Sequence, residues 1–139
     1  MAEFAFFYGT LMTPFNRSGR QRIDPHLSYI GRGSISAALF DLGIYPAAVP
    51  ASEGRVLGEL YEMTHPEIVL PVLDEIEGYR ADHPEASLYT RTKTTVTLET
   101  NATAEAWAYF YNAPLGQAQR IQSGDYLEHL KLTPPADPF

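Results

Sequence analysis

The chain opens on an apolar run without alternation. Phe4-Ala5-Phe6-Phe7-Tyr8 is short, aromatic-rich and closed by Gly9, the pattern of a buried strand. Thr10 to Arg22 turns polar around Pro14, Asn16 and Gly19 and predicts a loop with a helical turn in it. From Tyr29 to Leu42 the apolar positions Ile30, Ile35, Leu39 and Phe40 are interrupted by Gly31 and Gly33, which predicts one bent or bulged strand. Gly43-Ile44-Tyr45-Pro46 reads as a turn. Ala47-Ala48-Val49 and Val56 to Glu62 then read as strands joined through Ser52-Glu53-Gly54.

The period changes at Thr64. Thr64-His65-Pro66-Glu67 has capping-box spacing, with Thr64 as N-cap and Glu67 placed to bond back. Pro66 falls in the first turn, where its missing N–H costs nothing. Val69, Val72, Leu73 and Ile76 share one face at helical spacing, while Pro71 removes an interior hydrogen bond. Gly78 is suited to the left-handed position beyond the helix, which places Glu77 at its C-terminal end. After the loop Tyr79 to Ser87, the stretches Tyr89–Glu99 and Glu105–Tyr111 predict an antiparallel hairpin turning through Thr100-Asn101-Ala102. Gly124 to Leu130 predicts one short closing helix after Ser123. The elements add up to an α+β fold: a mixed or antiparallel sheet closing towards a small β-barrel, one main helix and short peripheral helices.

Composition narrows the class. At 139 residues the chain has the length of one domain, expected over 1–132, with a Pro-rich tail at 133–139. It contains no cysteine, which excludes disulfide frameworks, thiol nucleophiles and Cys-ligated zinc. Seventeen acidic against 10 basic residues give a formal charge of −7, unfavourable for general binding to nucleic acid. Met1-Ala2-Glu3-Phe4 lacks the basic and apolar regions of a signal peptide, and no stretch is long enough to span a bilayer; a cytoplasmic protein is expected.

Candidate chemistry is sparse. His26, His65, His83 and His129 are scattered, none with metal-ligand spacing, and each reads as a surface or capping residue; no metal and no cofactor are expected. No nucleophile elbow, phosphate-binding loop or dinucleotide fingerprint occurs. Two features remain. In Leu73-Asp74-Glu75-Ile76-Glu77 the apolar pair sets the inner face, so Glu77 lies at its boundary while Asp74 and Glu75 turn to solvent. A carboxyl there, desolvated by neighbouring aromatics, could serve as a general base; spacing alone favours an exposed helix-end residue. Tyr8-Gly9-Thr10-Leu11 leaves the first strand with a glycine that lets backbone N–H groups approach a ligand, and also fits an ordinary turn.

Taken together, Phe4-Ala5-Phe6-Phe7 running into Tyr8-Gly9-Thr10-Leu11, then Gly43-Ile44-Tyr45-Pro46-Ala47, Leu73-Asp74-x-x-Glu77-Gly78-Tyr79, Leu88-Tyr89-x-Arg91 and Ala106-Trp107-x-Tyr109 resemble, in order, the landmarks of the gamma-glutamylcyclotransferase-like family. The resemblance spans roughly residues 4 to 126, and the length of the loop from Gly78 to Tyr89 is similar to small bacterial members. It implies a small mixed barrel and a cofactor-free reaction in which a gamma-glutamyl amide is split without water. The substrate's α-amine closes on its own γ-carbonyl, giving 5-oxoproline and a free amine. It implies Glu77 as general acid/base, the N–H groups of Tyr8, Gly9, Thr10 and Leu11 as the anion site, and Tyr89 and Tyr109, with Tyr45 behind them, as pocket-lining aromatics. The partner it implies is a small gamma-glutamyl amine or peptide, with the protein a monomer or weak homo-oligomer. Arg17, Arg20 and Arg22 read as a solvated surface that could meet an acidic leaving portion, and Arg91 as pairing with a carboxylate near the pocket. The competing reading is a non-catalytic binding or interaction module on the same barrel. That reading expects Glu77 to point away from the first loop, or Tyr79 or Phe110 to fill the pocket.

Overall fold

The structure is a computed structural model that describes residues 2–15 and 18–131. Arg17, the boundary at 132 and the tail at 133–139 lie outside the described residues. Strand β1 (Glu3–Phe7) is followed by a 3₁₀ turn (Thr13–Phe15) and the short helix α1 (Ser18–Gln21). Then come β2 (Leu27–Ile35), β3 (Ala37–Asp41), β4 (Pro46–Pro50) and β5 (Val56–Met63). Helix α2 (Pro66–Glu77) precedes the hairpin β6 (Tyr89–Leu98) and β7 (Thr103–Tyr111), and β8 (Gln119–Arg120) and helix α3 (Tyr126–His129) finish the fold.

Five strands close a barrel in the order β1-β5-β2-β6-β7, sealed by the parallel pairing of β1 with β7 at Ala5 and Trp107. The remaining strands form a separate sheet in the order β4-β3-β8. The α+β barrel with a single main helix is therefore the observed fold. Phe6, Leu60, Val96, Ala106 and Ala108 are fully buried in its core, and Val69 and Leu73 of α2 join the same cluster. Burying such side chains supplies roughly 1.5–3 kcal/mol for each large one.

Three details differ from the sequence expectation. Tyr29 to Leu42 is two strands rather than one: the bulge expected near Gly31 lies between Tyr29 and Gly31, but Ser36 carries the chain out of the barrel into the second sheet. Strand β8 was not foreseen, because two exposed polar residues carry no periodicity; they pair with Phe40 and Asp41. Nor is Thr64 the cap of α2. His65 holds that position and its carbonyl accepts from Ile68 N–H (2.9 Å) and Val69 N–H (3.1 Å), while no side chain caps the helix. Thr64 is still tethered outside the helix, donating its own N–H to His26 O at 3.0 Å. The C-terminal end is as expected: Gly78 adopts φ +68°, and Tyr79 N–H returns to Asp74 O at 2.9 Å.

Candidate active site

β1 delivers Tyr8 and the loop after it to the lining of a cleft of about 180 Å³, and the left-handed cap at Gly78 stops α2 with Glu77 in the same lining. That volume is below the roughly 300–1,000 Å³ of clefts for drug-sized ligands. Tyr8, Gly9, Thr10 and Leu11 line the cleft together with Glu77, Tyr89 and Tyr109. The structure thus brings all seven expected site residues into one concavity, and Tyr45 joins them at its exposed mouth. Tyr79 and Phe110 are not among the lining residues. Phe6, Phe7, Pro46, Ile76 and Leu88 complete the apolar lining, and Glu75 adds a second carboxylate; the sequence patterns gave none of these a place in the site.

Each wall is fixed by contacts that sequence spacing does not reveal. A Cβ on Gly9 would lie 2.8 Å from Pro46 Cγ, so only glycine lets the loop pass under β4. Met12 N–H closes a turn onto Gly9 O at 3.0 Å, and Tyr8, Gly9, Thr10 and Leu11 all line the cleft. Tyr8 is buried; its hydroxyl donates to Tyr109 O at 2.6 Å and accepts from Ala48 N–H at 3.2 Å. The Tyr89 hydroxyl donates to Pro46 O at 2.8 Å, and that of Tyr109 to Asp74 Oδ1 at 2.6 Å. The one hydroxyl hydrogen of each tyrosine is therefore committed to the protein, and towards a ligand each offers its ring face and an acceptor lone pair.

The electrostatics follow from burial beside a carboxylate. Tyr8 and Tyr89 are raised above the ordinary tyrosine value, first by desolvation and then by the Glu77 charge. Tyr109 is raised by desolvation, then by its hydrogen bond to Asp74 and the charge there, with a smaller push from Glu77. All three stay protonated at neutral pH, and all three feel Glu77.

Two expectations need correcting. Asp74 does not turn to solvent: besides Tyr109 it faces Arg91, whose Nε lies 3.5 Å from Asp74 Oδ1. Arg91 in turn lies over the rings of Trp107 (4.9 Å) and Tyr79 (5.6 Å), so its expected pairing with a carboxylate beside the pocket is what the structure contains. Arg20 is not a solvated surface group either; it is 9% exposed and bonds the backbone of Leu11. Arg22 does stay exposed, and pairs with Glu75 at 3.6 Å. The histidines are held in ordinary contacts, His129 Nε2 to Asp41 Oδ2 at 2.8 Å and His26 edge-on to His65. Among the described residues no group of three or more His, Asp or Glu side chains is placed to hold a metal ion. Nor is any described helix long and apolar enough to cross a membrane.

A closed five-stranded barrel, with a helix-end glutamate and a glycine loop lining one small cleft, is the architecture expected of the gamma-glutamylcyclotransferase-like class of α+β barrels. The comparisons agree: residues 5–128 match the model of the family described as gamma-glutamyl cyclotransferase, AIG2-like, and the chain belongs to that family. The protein MJ1514 of Methanocaldococcus jannaschii is 32% identical over 133 residues, covering 91% of this chain and 98% of its own. The gamma-glutamylcyclotransferase family protein YtfP of Escherichia coli K12 is 31% identical over 127 residues, covering 91% and 97%. In structure, an AIG2-like protein of Mus musculus superposes with a TM-score of 0.68 over 99% of this chain and 98% of its own, at 22% identity, which speaks to the fold alone.

Proposed function

We propose that the protein is a gamma-glutamyl amide cyclotransferase, with Glu77 as its general acid/base. The observation that carries the reading is that Glu77 and the loop Tyr8–Leu11 line the same cleft. The non-catalytic alternative expected that glutamate turned away, or the cleft filled by Tyr79 or Phe110.

In this reading the loop amides take the glutamyl α-carboxylate or the oxyanion that forms at the γ-carbon. Glu77 removes a proton from the α-amine, whose unperturbed pKa of about 7.7–8.0 leaves it mostly protonated near neutrality. The freed nitrogen attacks the γ-carbonyl, a five-membered ring closes, and the C–N bond to the leaving amine breaks. The proton held by Glu77 passes to that amine as it departs. The second proton, shed by the ring nitrogen as it becomes a lactam N–H, follows through the same carboxylate, so the amine leaves as ammonium and no water, metal or redox partner enters the balance. Because attack is intramolecular, holding the substrate folded supplies much of the acceleration, and the aromatic walls Tyr45, Tyr89 and Tyr109 serve that purpose. The charged side chains lining the cleft among the described residues are Glu75 and Glu77, so amines without a carboxylate are the better leaving groups.

The test is a panel of gamma-glutamyl amides, of simple amines and of amino acids, with 5-oxoproline followed by mass. Glu77→Gln keeps the shape and loses the basicity, and its turnover is expected to fall roughly 10²- to 10⁴-fold. Equal turnover by the two proteins would remove Glu77 from the mechanism. Absence of product from folded wild-type protein across the panel would favour the binding module.

A further inference from the structure

Two buried polar side chains outside the cleft converge on the backbone of its loop wall. Arg20 of α1 donates from Nη1 to Leu11 O at 2.6 Å and from Nε to Asp24 Oδ1 at 2.8 Å. Its guanidinium lies 4.4 Å over the Tyr61 ring and 5.6 Å over that of Phe7, the attractive face-on geometry. Glu59 of β5 is fully buried. Its Oε1 accepts from Thr13 N–H (3.0 Å), from the Thr13 hydroxyl (3.1 Å) and from the Tyr61 hydroxyl (2.8 Å). Its Oε2 is buried and accepts no hydrogen bond among the described residues. A buried carboxylate with one oxygen unused is costly, and an apolar side chain of similar size would fill the position without that cost. What the carboxylate supplies that an apolar group cannot is an acceptor for the amide of Thr13.

The two side chains therefore grip the chain on either side of Met12, one at a carbonyl and the other at an amide. With the turn from Met12 N–H to Gly9 O, the Gly9 carbonyl and the peptide planes on both sides of Met12 are held by hydrogen bonds. The same short helix also meets α2, the element that ends at Glu77. A Cβ on Gly19 would lie 2.8 Å from Ile76 Cδ1, next to Glu77, and Arg22 meets Glu75 of α2.

We propose that Arg20 and Glu59 are positioning residues that hold the loop Tyr8–Leu11 at its working distance from Glu77, with α1 as the strut between that loop and α2. The kinetic side of this inference rests on the cyclotransferase reading; the geometric side does not.

The experiment compares wild type with Glu59→Leu, Glu59→Gln, Arg20→Met, Arg20→Lys and Gly19→Val. It reads kcat and KM on the best panel amide, thermal midpoints, and amide hydrogen exchange at residues 9 to 13. Glu59→Leu and Arg20→Met are expected to raise KM or lower kcat at least 10-fold and to speed exchange in that segment at least 10-fold. The pH midpoint of kcat/KM stays where Glu77 sets it. Glu59→Gln keeps an acceptor for Thr13 and Arg20→Lys keeps a donor for Leu11, so both recover most of the loss. Lower thermal midpoints with wild-type kinetics and exchange would overturn the proposal, because a merely structural role gives that result. Should Glu59→Leu fail to fold, Arg20→Met decides: unchanged KM, kcat and exchange in that variant would overturn the proposal, while Gly19→Val, which crowds the Ile76 side chain, adds a probe of the strut. Should wild type turn over no amide, the cyclotransferase reading falls, and hydrogen exchange alone then judges the clamp.

Discussion

Tyr109 shows how much a single side chain's role depends on partners far away in sequence. Its hydroxyl is satisfied by Asp74, 35 positions earlier, and Asp74 is held in turn by Arg91. Removing the acceptor with Asp74→Ala leaves a mostly buried hydroxyl and a guanidinium without their carboxylate. The expected loss is about 1.5–3 kcal/mol, the range for hydrogen bonds to charged groups, with Asp74→Asn costing less because it retains a carbonyl. Urea denaturation of the three proteins measures this, and an unchanged midpoint for the alanine variant would show that water replaces the contact. The positions of Tyr8, Tyr89 and Tyr109 were legible through their motifs; the destinations of their hydroxyls were not. Asp74 was misread for a definite reason. A helical wheel divides α2 into one apolar face and solvent, and takes no account of β7 bringing a tyrosine hydroxyl against a second face.

At the scale of elements, α2 matters because where it stops decides where Glu77 sits. Gly78 makes that stop in the left-handed region, with an added Cβ meeting only Leu88 Cβ at an ordinary 3.5 Å. Gly78→Ala is thus a test of backbone strain rather than of crowding. The expected destabilisation is about 1–2 kcal/mol, and turnover should fall as well, because the last turn carrying Glu77 would unwind to relieve the strain. Denaturant midpoints and kcat for the variant check the two halves, and wild-type stability would mean the cap does not fix the helix end. This stop was readable because glycine after an apolar helical period has a local backbone cause. The start was not, since whether Thr64 caps the helix depends on the distant carbonyl of His26. The same distinction separates the hairpin β6–β7, written in local alternation, from β8, whose two residues are strand only because β3 lies beside them.

For the molecule as a whole, the question is what ties the sheet β4-β3-β8 to the barrel. Two ties are cleft tyrosines, Tyr8 to the amide of Ala48 and Tyr89 to the carbonyl of Pro46, so the site's aromatics also serve the architecture. A third comes from the far end of the chain, where α3 brings His129 Nε2 to within 2.8 Å of Asp41 Oδ2 at the end of β3. The Asp41 carboxyl is held below the usual carboxylate range, mostly by that hydrogen bond, with the Gly43 N–H adding to it. A carboxyl whose folded value is depressed binds a proton more readily in the unfolded chain, so its contribution is present above the unfolded value of about 3.9. It is lost as pH falls from there through the folded value. Solvent screening at this surface position keeps the amount below about 1 kcal/mol. The fit of wild type and Asp41→Asn to urea unfolding, from pH 7 down to pH 2.5, should therefore show wild type the more stable at neutrality and the gap closing below about pH 4. Other carboxylates titrate in both proteins and cancel in the difference. A gap that stays constant through the acid range would mean that the contact of α3 with β3 is held by packing of Tyr126 and Leu127 alone, and that the charge on Asp41 contributes nothing to closing the fold.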